Sequence, residues 1–483
     1  MSTPCHGWVR DGHGINGTIA IPAATFGVAC EGSDPSAGAG PVVTFHRKPK
    51  PLPDGAVTSD WPAFLGPRHD AVCPETKLLK EWPVGGPVLV WEMETGEGYA
   101  SPVVVGDRLV YFHRVGDRET VDCVKAETGQ HLWRFEYPSK YKDRYGFNGG
   151  PRASPVIDGG RVYTFGAEGM LHCLDLATGS EIWKLDATER FKIPPHYFGV
   201  GSTPLVEGDL LIVQVGGAEG PCVAAFNKTD GKIAWTAGRW RASYASPVPA
   251  VVHGQQRVLV FAGGDIRPPT GGLLVIDPAD GRIHTRFGFR SERYVSVNAV
   301  NPVIVDDRVF LSSSYHTGSV QLRLMPDDSH QVTWKTDGFG AHFATPIYHA
   351  GHLYGIDGSS KRDAALVCLD WKTGQEVWRQ APKWIETVDK NGKKEPVELS
   401  MFMGALILAD GHFLILGELG HLAWADLTPQ GYREIVRTRL FDAGETWCPL
   451  VVSRGLLYVC QNRPDNTTQK PPRLLCYDLR AGR

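Results

Sequence analysis

The 483-residue chain has almost no net charge, because 50 Lys and Arg residues oppose 53 Asp and Glu residues and leave a formal charge of −3. Nucleic-acid binders need a basic surface, and helices that bind membrane surfaces are rich in Lys and Arg. Neither class is indicated. No stretch approaches about 18 consecutive apolar residues, so the sequence predicts no transmembrane helix.

Motifs of common metal sites and catalytic centres are also missing. The ten cysteines include no C-x-x-C spacing and no adjacent pair, and the histidines form no H-E-x-x-H pattern. There is no G-x-S-x-G nucleophile elbow and no phosphate-binding glycine loop. We therefore expect no metal site, and hydrolase chemistry has no support. Four cysteines occupy one repeated position and are predicted to be small buried residues, namely Cys123, Cys173, Cys368 and Cys476.

The N-terminal region lacks the long apolar run of a signal peptide, so no export signal is expected in the chain as written. Residues 1–57 are rich in Gly, Pro, Ser and Ala. That composition predicts a poorly ordered tail, followed by one domain over residues 58–483.

A repeat dominates what is present. A small or polar residue followed by Pro and an apolar run recurs at intervals of about 43 to 55 residues, apart from one long gap, at Ser101, Ser154, Thr203, Ser246, Asn301, Thr345 and Cys448. The long gap after Pro346 contains an eighth copy that begins at Gly404 and has Leu406 in place of the proline. A period of this length is typical of solenoids, propellers and arrays.

Each repeat reads as four short strands. Two β-rich runs flank a Gly/Asp turn, and an Asp-x-x-Thr-Gly turn then precedes a strand with Trp, as in Asp175 to Trp183. The Trp positions are Trp91, Trp133, Trp183, Trp235, the segment around Thr285, Trp334, Trp378 and the segment around Ile435. Each indole is expected to wedge between blades and to donate its N–H to a loop carbonyl.

Four-stranded units repeated eight times predict an all-β, eight-bladed β-propeller. The last repeat ends at Arg483 without its fourth strand, and Val88–Trp91 has the form of that missing strand. We therefore predict that the N- and C-terminal strands pair and complete the eighth blade. The segment Lys383 to Glu398 is expected to be a polar hairpin before blade 7.

The Asp-x-x-Thr-Gly-x-x-x-Trp repeats resemble those of the pyrroloquinoline quinone (PQQ) repeat propellers, the quinoprotein alcohol dehydrogenase-like family, and in particular its BamB-like members. The likeness covers residues 60–479. It implies an eight-bladed ring and a periplasmic or otherwise extracytoplasmic location. Quinoprotein dehydrogenases of this kind carry adjacent cysteines near the quinone and a Ca²⁺ site, and neither motif can be matched here.

Residues just before each small-Pro step are predicted to converge at the mouth of the central channel. The candidate ligand-binding residues are Tyr99, Arg152, Tyr244, Asn298, His342, Glu445 and Trp447. Two interpretations stay open for them: they bind a ligand, or they bond to one another and plug the axis. Arg152 is the leading ligand contact, because a guanidinium among small residues can bind a carboxylate or phosphate through two hydrogen bonds.

The expected function is non-catalytic. The resemblance to BamB-like propellers implies a monomeric binding or scaffold protein whose partner is a protein or a small molecule, with no cofactor. The alternative is a PQQ- and Ca²⁺-dependent alcohol or sugar dehydrogenase. An enzyme needs a cavity for a planar quinone and a carboxylate-lined cation site at the axis, whereas a scaffold needs only a filled axis and an exposed patch.

Overall fold

The structure is a computed structural model. It describes residues 40–482 except 84, 196–197, 266–268, 294–296 and 391–392, and it leaves the side chains of 389–390 undescribed. Three strands precede the first complete blade, namely β1 (Val43–Phe45), β2 (Val72–Cys73) and β3 (Val88–Glu94). No helix in these ranges is both long and apolar enough to cross a membrane.

Seven blades follow one another along the chain as antiparallel four-stranded sheets. Blade 1 contains β4 (Val103–Val105), β5 (Arg108–Val115), β6 (Arg118–Lys125) and β7 (His131–Pro138), and blade 2 contains β8 (Val156–Asp158), β9 (Arg161–Phe165), β10 (Met170–Asp175) and β11 (Glu181–Asp186). Blade 3 contains β12 (Leu205–Glu207), β13 (Leu210–Gln214), β14 (Val223–Asn227) and β15 (Ile233–Ala237). Blade 4 contains β16 (Val248–Val252), β17 (Gln255–Ala262), β18 (Gly272–Ile276) and β19 (Ile283–Gly288). A short helix, α1 (Ala187–Phe191), links blades 2 and 3.

Blade 5 contains β20 (Val303–Val305), β21 (Arg308–Ser313), β22 (Gly318–Leu324) and β23 (His330–Thr336). Blade 6 contains β24 (Ile347–His349), β25 (His352–Asp357), β26 (Ala365–Asp370) and β27 (Glu376–Gln380). Blade 7 contains β30 (Ala405–Ala409), β31 (His412–Leu416), β32 (His421–Thr428) and β33 (Gly431–Arg439). Between blades 6 and 7 lies the predicted hairpin, formed by β28 (Lys383–Lys390) and β29 (Lys393–Ser400).

Blade 8 closes the ring as predicted. It combines β34 (Val451–Ser453), β35 (Leu456–Gln461) and β36 (Arg473–Asp478) with β3 from the start of the domain. Trp91 of β3 lies opposite Cys476 of β36. The two ends of the described chain therefore share one sheet, and the predicted eight-bladed propeller is confirmed.

The blades interlock through one repeated contact. In seven blades a hydrogen bond from the Trp position crosses to a carbonyl at a turn of the next blade, for example from Trp133 Nε1 to the Leu176 oxygen at 2.9 Å. In blade 7 the acceptor is the Leu79 carbonyl, in the segment before β3. Blade 4 has no indole at its Trp position, and Thr285 Oγ1 donates to the Asp328 oxygen instead at 2.8 Å. The other six donors are Trp91, Trp183, Trp235, Trp334, Trp378 and, from the adjoining strand β32, Trp424.

The glycine of the Asp-x-x-Thr-Gly turn completes this contact. Gly179 has a φ of +75°, and a Cβ at this position would lie 2.5 Å from a ring carbon of Trp133. A side chain would therefore be strained by the backbone and would also collide with the indole. In addition, a β-bulge lies beside the Trp position in the outer strand of each blade. The predicted buried cysteines lie opposite four of these Trp residues and are free thiols.

The start of the described chain corrects one prediction. Residues 40–57 were expected to be poorly ordered, but β1 pairs with β3 and the Lys50 N–H donates to Asp478 at 2.8 Å. The outer edge of blade 8 satisfies these backbone groups, which composition could not reveal. The rest of the predicted tail, residues 1–39, lies outside the described residues.

Residues 59–79 contact the inner strands of blades 1, 7 and 8 at the end where the first and second strands of each blade turn, here called the turn face. Trp61 bonds to Val104 of β4, β2 pairs in parallel with β30, and Ser453 of β34 donates to the Ser59 carbonyl at 2.7 Å. The opposite end carries the linkers between blades and is here called the mouth face.

Candidate functional site

The small residues of the repeat form a partial ring of hydrogen bonds around the axis, through blades 1 to 6. The Ser101 N–H donates to Ser154 Oγ at 2.9 Å, and the Ser154 N–H donates to Thr203 Oγ1 of the next blade at 3.0 Å. The relay continues through Ser246, Asn301 and Thr345. Because these residues begin the inner strands, the ring holds the preceding linkers at the mouth face.

Tyr99 and Glu445 meet at this mouth. Tyr99 donates its hydroxyl to Glu445 Oε2 at 2.5 Å, and Arg463 grips the same carboxylate through two hydrogen bonds of 2.8 Å. Burial and the neighbouring Glu445 charge raise the pKa of Tyr99, so the hydroxyl keeps its proton. The backbone of Glu445 has a φ of +57°, a conformation that residues with side chains rarely adopt and that occurs often at functional positions.

Arg152 lies beside this pair, but its guanidinium is used internally. Arg152 Nη2 bonds to Asp143 at 2.9 Å and to the Asn148 carbonyl at 2.8 Å. The guanidinium carbon lies 5.5 Å from the Tyr99 ring centre and 5.1 Å from that of Tyr141. The guanidinium that the sequence offers as the leading ligand contact is therefore already bound within the protein.

Trp447 is the centre of an aromatic group that we call the mouth cluster. Its ring centre lies 5.5 Å from Tyr99 and 5.3 Å from Phe343. Phe147 contacts Trp447 at 5.8 Å and continues the row. The cluster comprises six half-buried side chains from linkers of several blades, namely Tyr99, Phe147, Phe198, Tyr244, Phe343 and Trp447.

The other three predicted residues adjoin the mouth cluster, of which Tyr244 is itself a member. The Tyr244 N–H donates to the Asn298 carbonyl at 2.9 Å, and both residues line a cavity of about 220 Å³ with Arg241 and Arg290. His342 bonds to Tyr315 through Nε2 at 2.8 Å and contacts Phe343. Burial lowers the pKa of His342 to about 4, so this imidazole is neutral near pH 7.

The charges at the mouth cancel in pairs. Besides Arg152 with Asp143 and Arg463 with Glu445, Lys361 Nζ lies 3.4 Å from Glu418. Glu418 is only 3% exposed, and burial raises its pKa more than the Lys361 charge lowers it. The centre of the mouth is therefore aromatic and close to neutral.

A quinone and Ca²⁺ centre fits these residues poorly. Ca²⁺ takes six to eight oxygen ligands in proteins, yet Glu445 is held by Arg463 and Tyr99, and the Asn298 amide donates to the Ala262 carbonyl at 3.0 Å. Within the described ranges, no three His, Cys, Asp or Glu side chains are grouped so that they could hold a metal ion. The Tyr99 and Trp447 rings are stacked and the Phe343 ring is tilted against Trp447, so these rings fill the centre of the mouth.

Sequence reasoning missed several mouth residues. Phe147 and Phe198 lie eight and six residues before the proline of the small-Pro step, so spacing gives no signal for them. Phe343 lies three residues before its proline, the same spacing as Tyr99 and Tyr244, but the neighbouring His342 was named instead. Arg463 lies in a loop between the second and third strands of blade 8. The prediction considered only the linkers that precede the first strand of each blade, and this loop is not one of them. The only sequence signal for Phe147 and Phe198 was the glycine beside each of them.

The family model described as "Outer membrane protein assembly factor BamB" matches residues 117–380, which is more than half of the chain. The matched part runs from blade 1 to blade 6.

Two curated relatives show different extents of similarity. A quinohemoprotein alcohol dehydrogenase, ADH IIB of Pseudomonas putida, is 28% identical over 153 residues, which cover 30% of this chain and only 21% of that enzyme. The outer membrane protein assembly factor BamB of Yersinia pestis is 23% identical over 393 residues, covering 77% of this chain and 86% of the relative. The chain therefore spans about a fifth of the dehydrogenase but most of this BamB.

Among solved structures, BamB from Moraxella catarrhalis superimposes with a TM-score of 0.53 at 15% identity. The superposition covers 82% of this chain and 99% of the other. At that identity the likeness shows a shared fold and nothing about activity.

Proposed function

The chain belongs to the family of the outer membrane protein assembly factor BamB, and from that premise we propose that it is a non-catalytic binding protein that docks a protein partner on its mouth face. The family membership supports a binding role, since the relatives are named as assembly factors. Nothing in that name identifies the partner of this chain.

The observation that carries the proposal is the mouth cluster. Aromatic side chains are enriched in the central, high-energy part of protein interfaces, where charged residues are scarce. The mouth cluster presents six half-buried rings, Trp447 among them, and the nearby charges are matched in ion pairs. A partner can bury such a surface without stranding an unpaired charge.

The same premise leads us to propose an extracytoplasmic location without a quinone cofactor. The named relatives act in outer membrane protein assembly, which supports the location. The internal pairing of Glu445 with Arg463 supports the lack of a cofactor, because it leaves no free carboxylate there for a cation. Fractionation of cells that produce the full-length protein would test the location.

Co-purification with matched variants tests the proposal. The full chain and the double variant Phe147→Ala with Phe343→Ala are used as bait in an extract of cells that produce the protein. The control is Phe45→Ala, which removes an aromatic ring that is 50% exposed on the outer edge of blade 8. We expect a partner that the wild type and the control retain and the mouth variant loses. Equal recovery with all three proteins would refute the proposal.

A further inference from the structure

A groove runs outward from the mouth cluster between blades 8 and 1. It encloses about 940 Å³, near the upper end of the about 300 to 1,000 Å³ of typical ligand clefts. Its walls come from the linker after β3, the end of β5 and the linker that carries Phe147. We call it the radial groove. Phe147 belongs to both surfaces, so the groove continues the proposed docking face.

One buried acceptor at the groove has no partner. Asn462 is 5% exposed and lines the groove. Its Nδ2 donates to the Gly98 carbonyl at 2.8 Å, but its Oδ1 has no hydrogen-bond partner within the structure. Buried polar atoms are nearly always paired, so a donor from a bound water or ligand would stabilise this oxygen.

The charges of the groove are mixed and balanced. Arg114 points its guanidinium at backbone carbonyls, including those of Ser139 at 3.0 Å and Gly149 at 3.1 Å. Glu97 accepts from the Gly149 N–H at 2.5 Å. Glu94 and Lys142 form no ion pair within the described residues. Three further charged residues of the lining are paired with residues outside the groove, Asp143 with Arg152, Arg134 with Asp122 and Arg463 with Glu445. The remaining charges are two carboxylates, Glu94 and Glu97, and two cations, Arg114 and Lys142, so the groove favours a ligand that has no net charge but many donors and acceptors.

A polypeptide main chain has that character, because each residue offers one N–H and one C=O. We infer that the partner binds as an extended, uncharged segment, with an apolar side chain at the mouth cluster and its main chain along the radial groove. This inference rests on the proposed function and specifies the form of the partner. A polyol such as an oligosaccharide could satisfy the same polar groups, so it is a competing outcome of the test.

The test uses a displayed library of random peptides of about 12 residues, about 40 Å long when extended. The library is selected on the full-length protein, and the most enriched peptide is synthesised with both ends blocked. Val115 is 41% exposed and lines the groove, so Val115→Trp fills the groove without removing a buried contact. Val251→Trp is the matched control, because Val251 is a 57% exposed valine in β16 of blade 4, near the turn face.

We expect uncharged peptides with an aromatic or large aliphatic residue. Val115→Trp should weaken their binding at least about tenfold, and Val251→Trp should change it less than about twofold. The inference fails if no peptide is enriched, if Val115→Trp leaves the affinity unchanged, or if cellohexaose binds in the groove and displaces the peptide.

These failures can be separated from failure of the proposed function. If Phe147→Ala with Phe343→Ala abolishes peptide binding while Val115→Trp does not, the mouth binds a partner and only the groove assignment is wrong. If the mouth variant retains the co-purified partner, the proposed function itself is wrong.

Discussion

The interlock between blades leads to a prediction for Gly179→Ala. Gly179 has a φ of +75°, and an added Cβ would lie 2.5 Å from Trp133. The left-handed backbone costs an alanine about 1–2 kcal/mol, and overpacking a buried site adds about 1–3 kcal/mol. We therefore expect Gly179→Ala to lower the free energy of unfolding by about 2–5 kcal/mol.

Gly208→Ala is the matched control, because Gly208 has a similar φ of +58° but no atom within 4 Å of an added Cβ. It should show the backbone cost alone, about 1–2 kcal/mol. Urea unfolding followed by tryptophan fluorescence measures both variants. In a Trp133→Ala background the collision is absent, so Gly179→Ala should cost no more than Gly208→Ala. Equal costs for the two glycine variants in the wild-type background would refute the interlock.

Three further results are expected. Ser154→Ala leaves the buried Ser101 N–H without its acceptor and should lower the free energy of unfolding by about 2 kcal/mol. The control Ser180→Ala, at an exposed position, should lower it by under about 0.5 kcal/mol in the same urea assay. Equal losses of stability would contradict the ring of hydrogen bonds. Folding lowers the pKa of His342 from 6.5 to about 4, so the stability that depends on a neutral His342 is present above pH 6.5 and is lost as the pH falls towards 4. Over that range the free energy of unfolding of His342→Gln should fall by up to about 3 kcal/mol less than that of the wild type. Parallel pH profiles of the two proteins would contradict this. Reconstitution with PQQ and Ca²⁺ should give no dye-linked alcohol oxidation, and activity that Glu445→Gln abolishes would contradict the non-catalytic proposal.

Much of the fold was predictable because the repeat is local. The Asp-x-x-Thr-Gly turn and the Trp that follows lie in one hairpin, and each Trp contacts the same position of the next blade. Pairing of β3 with β36 followed from counting strands. In blade 7 the indole comes from Trp424, opposite Val436, which a search for Trp in the outer strand alone could not find.

The segment before β3 was harder to predict. Residues 59–79 form contacts with several blades but carry no strand periodicity, and their turn-face role depends on partners far along the chain, such as Leu408 and Ser453. Likewise, β1 forms because the outer edge of β3 offers backbone groups with which it can pair. Neither contact has a signal in the local sequence.

The mouth was predictable in position but not in contacts. Register alone placed Tyr99, Arg152 and Trp447 together, since each precedes an inner strand. The pairing of Glu445 with Arg463 joins loops of irregular length, so no repeat spacing relates them. The same irregularity hid Phe147, which connects the mouth cluster to the radial groove.

Site-specific photo-crosslinking tests the central claim most directly. A photoreactive amino acid replaces Tyr145, which is 46% exposed in the linker that carries Phe147, or Val251, which lies near the turn face. In cells that produce the protein, we predict a covalent adduct with one partner protein from position 145 and none from position 251. An adduct from position 251 with none from position 145 would contradict docking on the mouth face.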